Sequence, residues 1–244
     1  MSERANDRKS QPTSITLKPT RWLPLVMPAL GVLILLAVAF ITQNGSLFPT
    51  SKPGEDPQTY LEAGRAALER GDVFGAIQQL EIAMQLAPDS RDVHFLLGNA
   101  YTRHNELDKA ARAYQRVLQI APDDVDAHAN LGVVYYQMAR LTEAIAEFKA
   151  GLAKRPDDAP LHYLLGAAYL QAGDFQNARK SFEQAKSLDP NLPEVYFGLG
   201  MLNKLEGHRE EAIANFEHFL KIGPGQDPRA KDEAENQLNE LRQQ

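Results

Sequence analysis

The stretch Asp126-Ala-His-Ala-Asn-Leu-Gly-Val-Val-Tyr135 decides the fold, because it is one copy of a motif that recurs five times. The glycine, the alanine and the proline of this motif each recur at the same spacing along the sequence, which is the spacing between Gly64 and Gly98. The three series are Gly64, Gly98, Gly132, Gly166 and Gly200; Ala76, Ala110, Ala144, Ala178 and Ala212; and Pro88, Pro122, Pro156, Pro190 and Pro224. A fixed period of this length indicates supersecondary units that bury their apolar faces by stacking on one another.

Each unit contains two amphipathic helical patterns that flank a short turn, such as Gly71-Asp72 or Gly173-Asp174. A proline ends the second helix, because proline has no backbone donor and its ring clashes with the preceding turn. With the glycines in register, the units follow one another without insertion over residues 57–90, 91–124, 125–158, 159–192 and 193–226.

The fourth unit shows the pattern most clearly, in His162-Tyr-Leu-Leu-Gly-Ala-Ala-Tyr169 followed by Ala178, Phe182, Ala185 and Pro190. This resembles the tetratricopeptide repeat (TPR), and the resemblance covers residues 57–226. It implies an all-α fold, a right-handed α-solenoid of five TPR helix pairs. Residues 227–244 are predicted to form a capping helix, with one apolar stripe made of Ala230, Ala234, Leu238 and Leu241.

The residues before the repeats fall into three segments. Residues 1–21 are polar and basic and are predicted to be a disordered tail. Residues 22–42 are predicted to form a transmembrane helix, because the run from Trp22 to Ile41 carries no charge and would extend about 30 Å as a helix. Residues 43–56 contain glycines and prolines without helical periodicity and are predicted to be a flexible spacer.

The apolar run has a second interpretation, the hydrophobic region of a signal peptide cleaved after Ala39. The run is long for a signal peptide and continues past that residue, which favours an uncleaved anchor. Five basic residues precede the run, whereas Lys52 follows it beside Glu55 and Asp56. The positive-inside rule then predicts a single-pass membrane protein with a cytoplasmic N-terminus and a periplasmic or extracytoplasmic TPR domain.

Composition and motifs argue against several functional classes. Residues 55–244 hold 20 basic and 30 acidic residues, so nucleic acid is not an expected partner. Cysteine is absent, which excludes disulfides and thiolate chemistry. His94, His128 and His162 recur at the repeat interval, but in this family that position is a packing position. We predict no catalytic residue, cofactor or metal site, and a small-molecule substrate is not expected.

Two acidic pairs, Asp123-Asp124 and Asp157-Asp158, follow the prolines that end their units. Each pair precedes the next predicted helix, where an aspartate can accept hydrogen bonds from free backbone N–H groups. We therefore predict that these carboxylates cap helices rather than act in acid–base chemistry.

The resemblance implies a concave groove formed by the first helix of each unit. The groove residues it implies are Arg65, Phe95, Asn99, Arg103, Asn130, Val133, Tyr136, Gln137, Tyr163, Leu170, Phe197, Met201 and Lys204. Phe95, Tyr136, Tyr163 and Phe197 are not required by the core pattern, so they are candidate contacts for a partner. In the alternative interpretation, some of these side chains pack against the neighbouring unit or a docked tail.

These features together predict a non-enzymatic, membrane-anchored TPR scaffold that binds protein or peptide partners and assists the assembly of an envelope complex. Two alternatives remain open. The chain could be an accessory subunit of a separately encoded enzyme system, of the cytochrome c maturation or cell-wall synthesis type. It could also be a soluble periplasmic chaperone if the N-terminal segment is cleaved.

Overall fold

The computed structural model describes residues 56–223 and 228–243, and within these residues all regular secondary structure is α-helical. The helices are α1 (Pro57–Glu69), α2 (Val73–Leu86), α3 (Arg91–Arg103), α4 (Leu107–Ile120), α5 (Val125–Gln137), α6 (Leu141–Lys154), α7 (Ala159–Gln171), α8 (Phe175–Leu188), α9 (Pro193–Glu206), α10 (Arg209–Ile222) and α11 (Pro228–Gln243). None of these helices is long and apolar enough to cross a membrane. The predicted tail (1–21), transmembrane helix (22–42) and all of the predicted spacer except Asp56 lie outside the described residues.

The helices α1 to α10 form five antiparallel pairs, one for each unit of the sequence. Within a pair the two helices pack along their length, and each second helix also packs on the first helix of the next pair. First helices of neighbouring pairs are in contact as well, for example α7 with α9. The prediction of an all-α solenoid of helix pairs is confirmed. We refer to the pairs as repeats 1 to 5.

The recurring glycines lie where the two helices of a repeat approach most closely. A Cβ atom on Gly132 would lie 2.5 Å from a ring carbon of Phe148, and one on Gly166 would lie 2.6 Å from the ring of Phe182. Both rings are fully buried. The missing side chain on the first helix is therefore the space that the aromatic ring of the second helix fills.

The turns and helix starts follow the same period. Asp124 accepts a hydrogen bond from the backbone N–H of Ala127, and Asp158 from that of Leu161, both at 2.9 Å, which confirms the predicted capping role for the second aspartate of each pair. Asp123 instead forms an ion pair with Lys154. Between the two helices of every repeat, one residue adopts a left-handed conformation. These residues are Gly71, Asn105, Ala139, Gly173 and Gly207, with φ between 57° and 80°.

The histidines at the fourth position of repeats 2, 3 and 4 close the turns between repeats. The Nε2 atoms of His94, His128 and His162 lie 2.7, 3.0 and 2.8 Å from the carbonyl oxygens of Pro88, Pro122 and Pro156. Because a carbonyl can only accept, Nε2 carries the proton in each case. In repeat 5 the hydroxyl of Tyr196 donates to the carbonyl of Pro190 at 2.8 Å. The packing interpretation of this position therefore missed a hydrogen bond that recurs along the stack.

Helix α11 covers the second helix of repeat 5. Ala234, Leu238 and Leu241 on its apolar stripe are buried and belong to one cluster with Phe216 and Phe219 of α10. Polar contacts surround this cluster: Arg209 donates to the carbonyl of Leu241 at 2.6 Å, and Arg242 forms an ion pair with Glu217 at 2.7 Å. The apolar end of the stack is thus closed by a helix with a polar outer face.

Candidate functional site

The first helix of every repeat presents one residue at the ninth position of its unit. These residues are Arg65, Asn99, Val133, Ala167 and Met201. The series changes character between repeats 2 and 3, from charged and polar to apolar side chains. In repeats 3 to 5 these side chains line concave surface, and that part of the molecule is the candidate site.

Two adjoining cavities form this concave surface. One has a volume of about 240 Å³ and is lined by Val133, Tyr136, Gln137, Phe148, Tyr163, Leu164 and Ala167. The other has a volume of about 310 Å³ and is lined by Tyr136, Tyr163, Ala167, Leu170, Gln171, Phe182, Phe197, Gly198, Met201 and Leu205. Because Tyr136, Tyr163 and Ala167 line both cavities, the two are parts of one groove. We call this surface the apolar groove.

The lining of the apolar groove contains no charged residue. Lys204, which was predicted to face the groove, is instead turned toward α11, where its ammonium group lies 2.5 Å from Gln237 and 2.6 Å from Glu240. Leu205 beside it is 56% exposed, an unusually accessible position for a large aliphatic side chain. The groove is therefore suited to apolar rather than charged side chains.

Two tyrosines provide the only hydroxyl groups in the apolar groove. Burial raises the pKa of Tyr163 to about 12, and the nearby carboxylate of Glu194 acts in the same direction. Burial also raises the pKa of Tyr136 above its ordinary value. Because the pKa of each tyrosine is raised, both hydroxyls are protonated near neutral pH. Neither hydroxyl is hydrogen-bonded to another described residue, so both can donate to a bound ligand.

The aromatic side chains of the groove are fixed by the core behind them. The ring centres of Tyr163 and Phe182 lie 5.9 Å apart. Phe197 meets Phe216 and Phe219 edge-on, with 5.7 and 5.4 Å between ring centres. Phe95, Tyr136, Tyr163 and Phe197, which the core pattern does not require, therefore contribute to packing as well. Each is partly buried against a core cluster and exposes only its remaining surface. Such rings form a rigid wall, which lowers the entropy lost on binding.

The predicted groove residues in repeats 1 and 2 are held mainly by contacts within the stack. Asn99 accepts hydrogen bonds from the hydroxyl of Tyr114 at 2.7 Å and from the amide of Asn130 at 3.4 Å. Arg103 donates to the carbonyl of Leu68 at 3.0 Å. The structure does not bring these residues into the apolar groove.

The other two predicted groove residues of repeats 1 and 2 are Arg65 and Phe95. Arg65 lies 3.6 Å from Glu62 in an exposed ion pair. Phe95 packs under Arg91 and against Tyr114. Neither lines the apolar groove, so the predicted residues of repeats 1 and 2 lie outside it.

Ala167, Gly198 and Leu205 line the groove although they were not singled out from the sequence. Each occupies a repeat position at which other groove residues were predicted, so the register of the repeats contained the signal. Ala167 contributes open space rather than contact surface, which a search for large or polar side chains overlooks. The space beside Gly198 is filled by the ring of Phe182, so this glycine contributes backbone to the lining.

Family models of the tetratricopeptide repeat match the chain at residues 98–138, 129–193 and 193–225, and together they span more than half of it. The chain belongs to the tetratricopeptide repeat family. A comparison with curated proteins finds no match.

Solved structures share this TPR fold at low sequence identity. MamA from Desulfovibrio magneticus RS-1 (residues 41 to the end) has a TM-score of 0.65 and 22% identity over 72% of this chain and 99% of that chain. TTC0263, a TPR protein of Thermus thermophilus, has a TM-score of 0.62 and 22% identity over 75% and 99%. For pilF of Pseudomonas aeruginosa the values are 0.63 and 22% over 76% and 88%. This TPR chain is similar to all three in fold.

Proposed function

We propose that this TPR chain is a non-enzymatic scaffold whose apolar groove binds an apolar segment of a partner protein. The observation that carries the proposal is the continuous, uncharged lining of the groove through repeats 3 to 5. Exposed apolar concavities of this kind are uncommon on soluble surfaces unless something binds them. The fold supports the proposal, because stacked TPR units create an extended concave surface rather than a closed catalytic pocket.

The shape and chemistry of the groove indicate how a partner would bind. An amphipathic helix or extended peptide can place apolar side chains in the two cavities, one on each side of Ala167. The hydroxyls of Tyr136 and Tyr163 would then donate to backbone carbonyls or polar atoms of the bound segment. Since the groove walls are already packed, affinity would come from apolar area and fit rather than from charge.

We further propose that residues 22–42 anchor the chain in a membrane, with the repeats on the periplasmic or extracytoplasmic side. The uncharged run and the basic residues before it support this proposal. A scaffold held in this way would concentrate its partner near the membrane and assist the assembly of an envelope complex.

Affinity purification of the tagged full chain from separated membrane and soluble fractions tests both proposals. We expect the chain at its full mass in the membrane fraction, together with one or more partner proteins. Recovery from the soluble fraction of a shorter chain, with the mass of residues 40–244, would favour the cleaved chaperone. A catalytic subunit among the partners would favour the accessory-subunit alternative. A full-mass chain recovered without partners would contradict the scaffold proposal.

A further inference from the structure

A second concavity lies away from the apolar groove, between α6 and the two helices of repeat 4. Its volume is about 400 Å³ and its lining is formed by Lys149, His162, Leu165, Tyr169, Asn177, Lys180, Ser181 and Gln184. It shares no lining residue with the two cavities of the apolar groove. We call it the repeat-4 cavity.

The repeat-4 cavity is positively charged in a domain that is otherwise acidic. Lys149 and Lys180 both line it, no acidic residue does, and neither ammonium group has an ion-pair partner within 4.0 Å among the residues that the structure describes. The Lys149 ammonium group lies 5.4 Å from the ring centre of Tyr169, a contact that leaves its charge unneutralised. Asp174 interacts electrostatically with Lys149, but its carboxylate already accepts two hydrogen bonds from Asn177, at 3.1 and 2.7 Å. The two lysines therefore remain available to an anion.

Ser181 adds a buried polar group to the same cavity. The residue is only 7% exposed, and its hydroxyl makes no hydrogen bond to any other described residue. Buried hydroxyl groups are usually hydrogen-bonded, so an accessible hydroxyl at the base of a cavity is a ready donor for a ligand.

Repeat 3 shows which ligand fits this place, because there the chain supplies one itself. Glu147 occupies the position in repeat 3 that Ser181 occupies in repeat 4. Its carboxylate lies 2.7 Å from Nδ1 of His128, the counterpart of His162. Both side chains are largely buried, with exposed fractions of 23% for Glu147 and 14% for His128. A carboxylate thus fits against the histidine edge at this point of the repeat.

Repeats 3 and 4 also differ in the charges around this site. In repeat 3, where Glu147 is present, the counterparts of Asn177 and Lys180 are Glu143 and Ala146. Repeat 3, which supplies its own carboxylate, therefore has no cation at the position of Lys180.

Repeat 2 has a similar cavity, in which two of the three cations already form ion pairs. The cavity has a volume of about 310 Å³ and opens beside Lys109, Arg112 and Arg116. Lys109 and Arg116 form ion pairs with Glu106 and Asp89. The repeat-4 cavity differs from it in two respects: neither of its lysines forms an ion pair with a described residue, and it presents the Ser181 hydroxyl where repeat 2 has Ala113.

We propose that the repeat-4 cavity binds the carboxylate of a glutamate or aspartate side chain of a partner polypeptide. Lys149, Lys180 and the Ser181 hydroxyl donate to this carboxylate, which takes the place that Glu147 occupies in repeat 3. The scaffold then has two surfaces of different chemistry, the apolar groove for apolar side chains and this cavity for an acidic one. The proposal does not depend on whether the apolar groove binds a partner.

A titration of the full chain in detergent micelles, with ¹³C-labelled histidine, tests the proposal. The chain has six histidines, and the His162 signal is assigned by its loss in the His162→Gln variant. The probe is N-acetylglutamic acid amide, which carries one carboxylate, and the matched neutral probe is N-acetylglutamine amide. We expect a saturable shift of the His162 signal with the first probe and none with the second.

Two variants and one control make this test specific. Ser181→Glu is expected to abolish the response, because its own carboxylate fills the cavity. Lys180→Gln changes an exposed residue, so it is expected to fold normally and to weaken binding about tenfold or more. Lys221→Gln, which removes an exposed charge on α10, should leave binding unchanged. The proposal is wrong if His162 does not respond, if both probes act alike, or if Lys180→Gln binds as tightly as the unmodified chain.

Discussion

The Phe182→Ala variant is expected to lose about 3–5 kcal/mol of unfolding free energy, the usual range for removing a buried phenylalanine. The Phe182 ring is fully buried and lies between two glycines, Gly166 of its own repeat and Gly198 of the next. Because neither glycine has a side chain that can move into the vacated space, the cavity should persist. We therefore expect a loss in the upper part of this range.

Urea unfolding of the full chain, followed by circular dichroism in the far ultraviolet, measures this effect. Phe74→Ala provides the matched control, since the Phe74 side chain is 63% exposed and its removal should change the unfolding free energy by less than about 0.5 kcal/mol. The Phe182 ring also bridges repeats 4 and 5, so its loss should broaden the transition as the end of the stack unfolds separately. Equal losses in the two variants would contradict the packing described for the glycine series.

The Ala167→Glu variant is expected to weaken partner binding at least about 100-fold, or about 2.7 kcal/mol. Ala167 lines both cavities of the apolar groove and is only partly buried. In the free protein the new carboxylate can remain hydrated, so the fold should be preserved. A bound apolar segment would have to remove water from that charge without supplying a partner for it, which is strongly unfavourable.

Calorimetric titration of the full chain with its partner gives the dissociation constants for this comparison. The control is Arg65→Glu, which places the same side chain at the same repeat position in repeat 1, outside the apolar groove. We expect this control to bind within about threefold of the unmodified chain, because peripheral charges contribute little to affinity. If both variants weaken binding equally, the effect comes from net charge and the groove is not the binding surface.

Much of the fold could be predicted because its determinants repeat at a constant interval. A glycine such as Gly132 and a ring such as that of Phe148 recur together in the next repeat as Gly166 and Phe182, so one interpretation is tested several times in a single sequence. The capping role of Asp124 and Asp158 was predictable for a related reason, because a helix start is decided by neighbouring residues.

The details of the site were harder to predict because they depend on contacts between repeats. The residues near Lys204 in the sequence do not indicate that its ammonium group pairs with Glu240 of α11. This contact turns the side chain away from the groove. The same holds for Arg103, which reaches back to the carbonyl of Leu68 in the preceding repeat. Open space at Ala167 is a property of the assembled surface, and no single residue reveals it.

Photo-crosslinking from position 170 tests the central claim, that the apolar groove of repeats 3 to 5 is the surface that binds a partner. Leu170 lines the groove, so benzoylphenylalanine at this position in the full chain should form a crosslinked product with a partner in native membranes. The same group in place of Phe74, which is exposed on the second helix of repeat 1, should form none. A product from position 74 and none from position 170 would contradict the account.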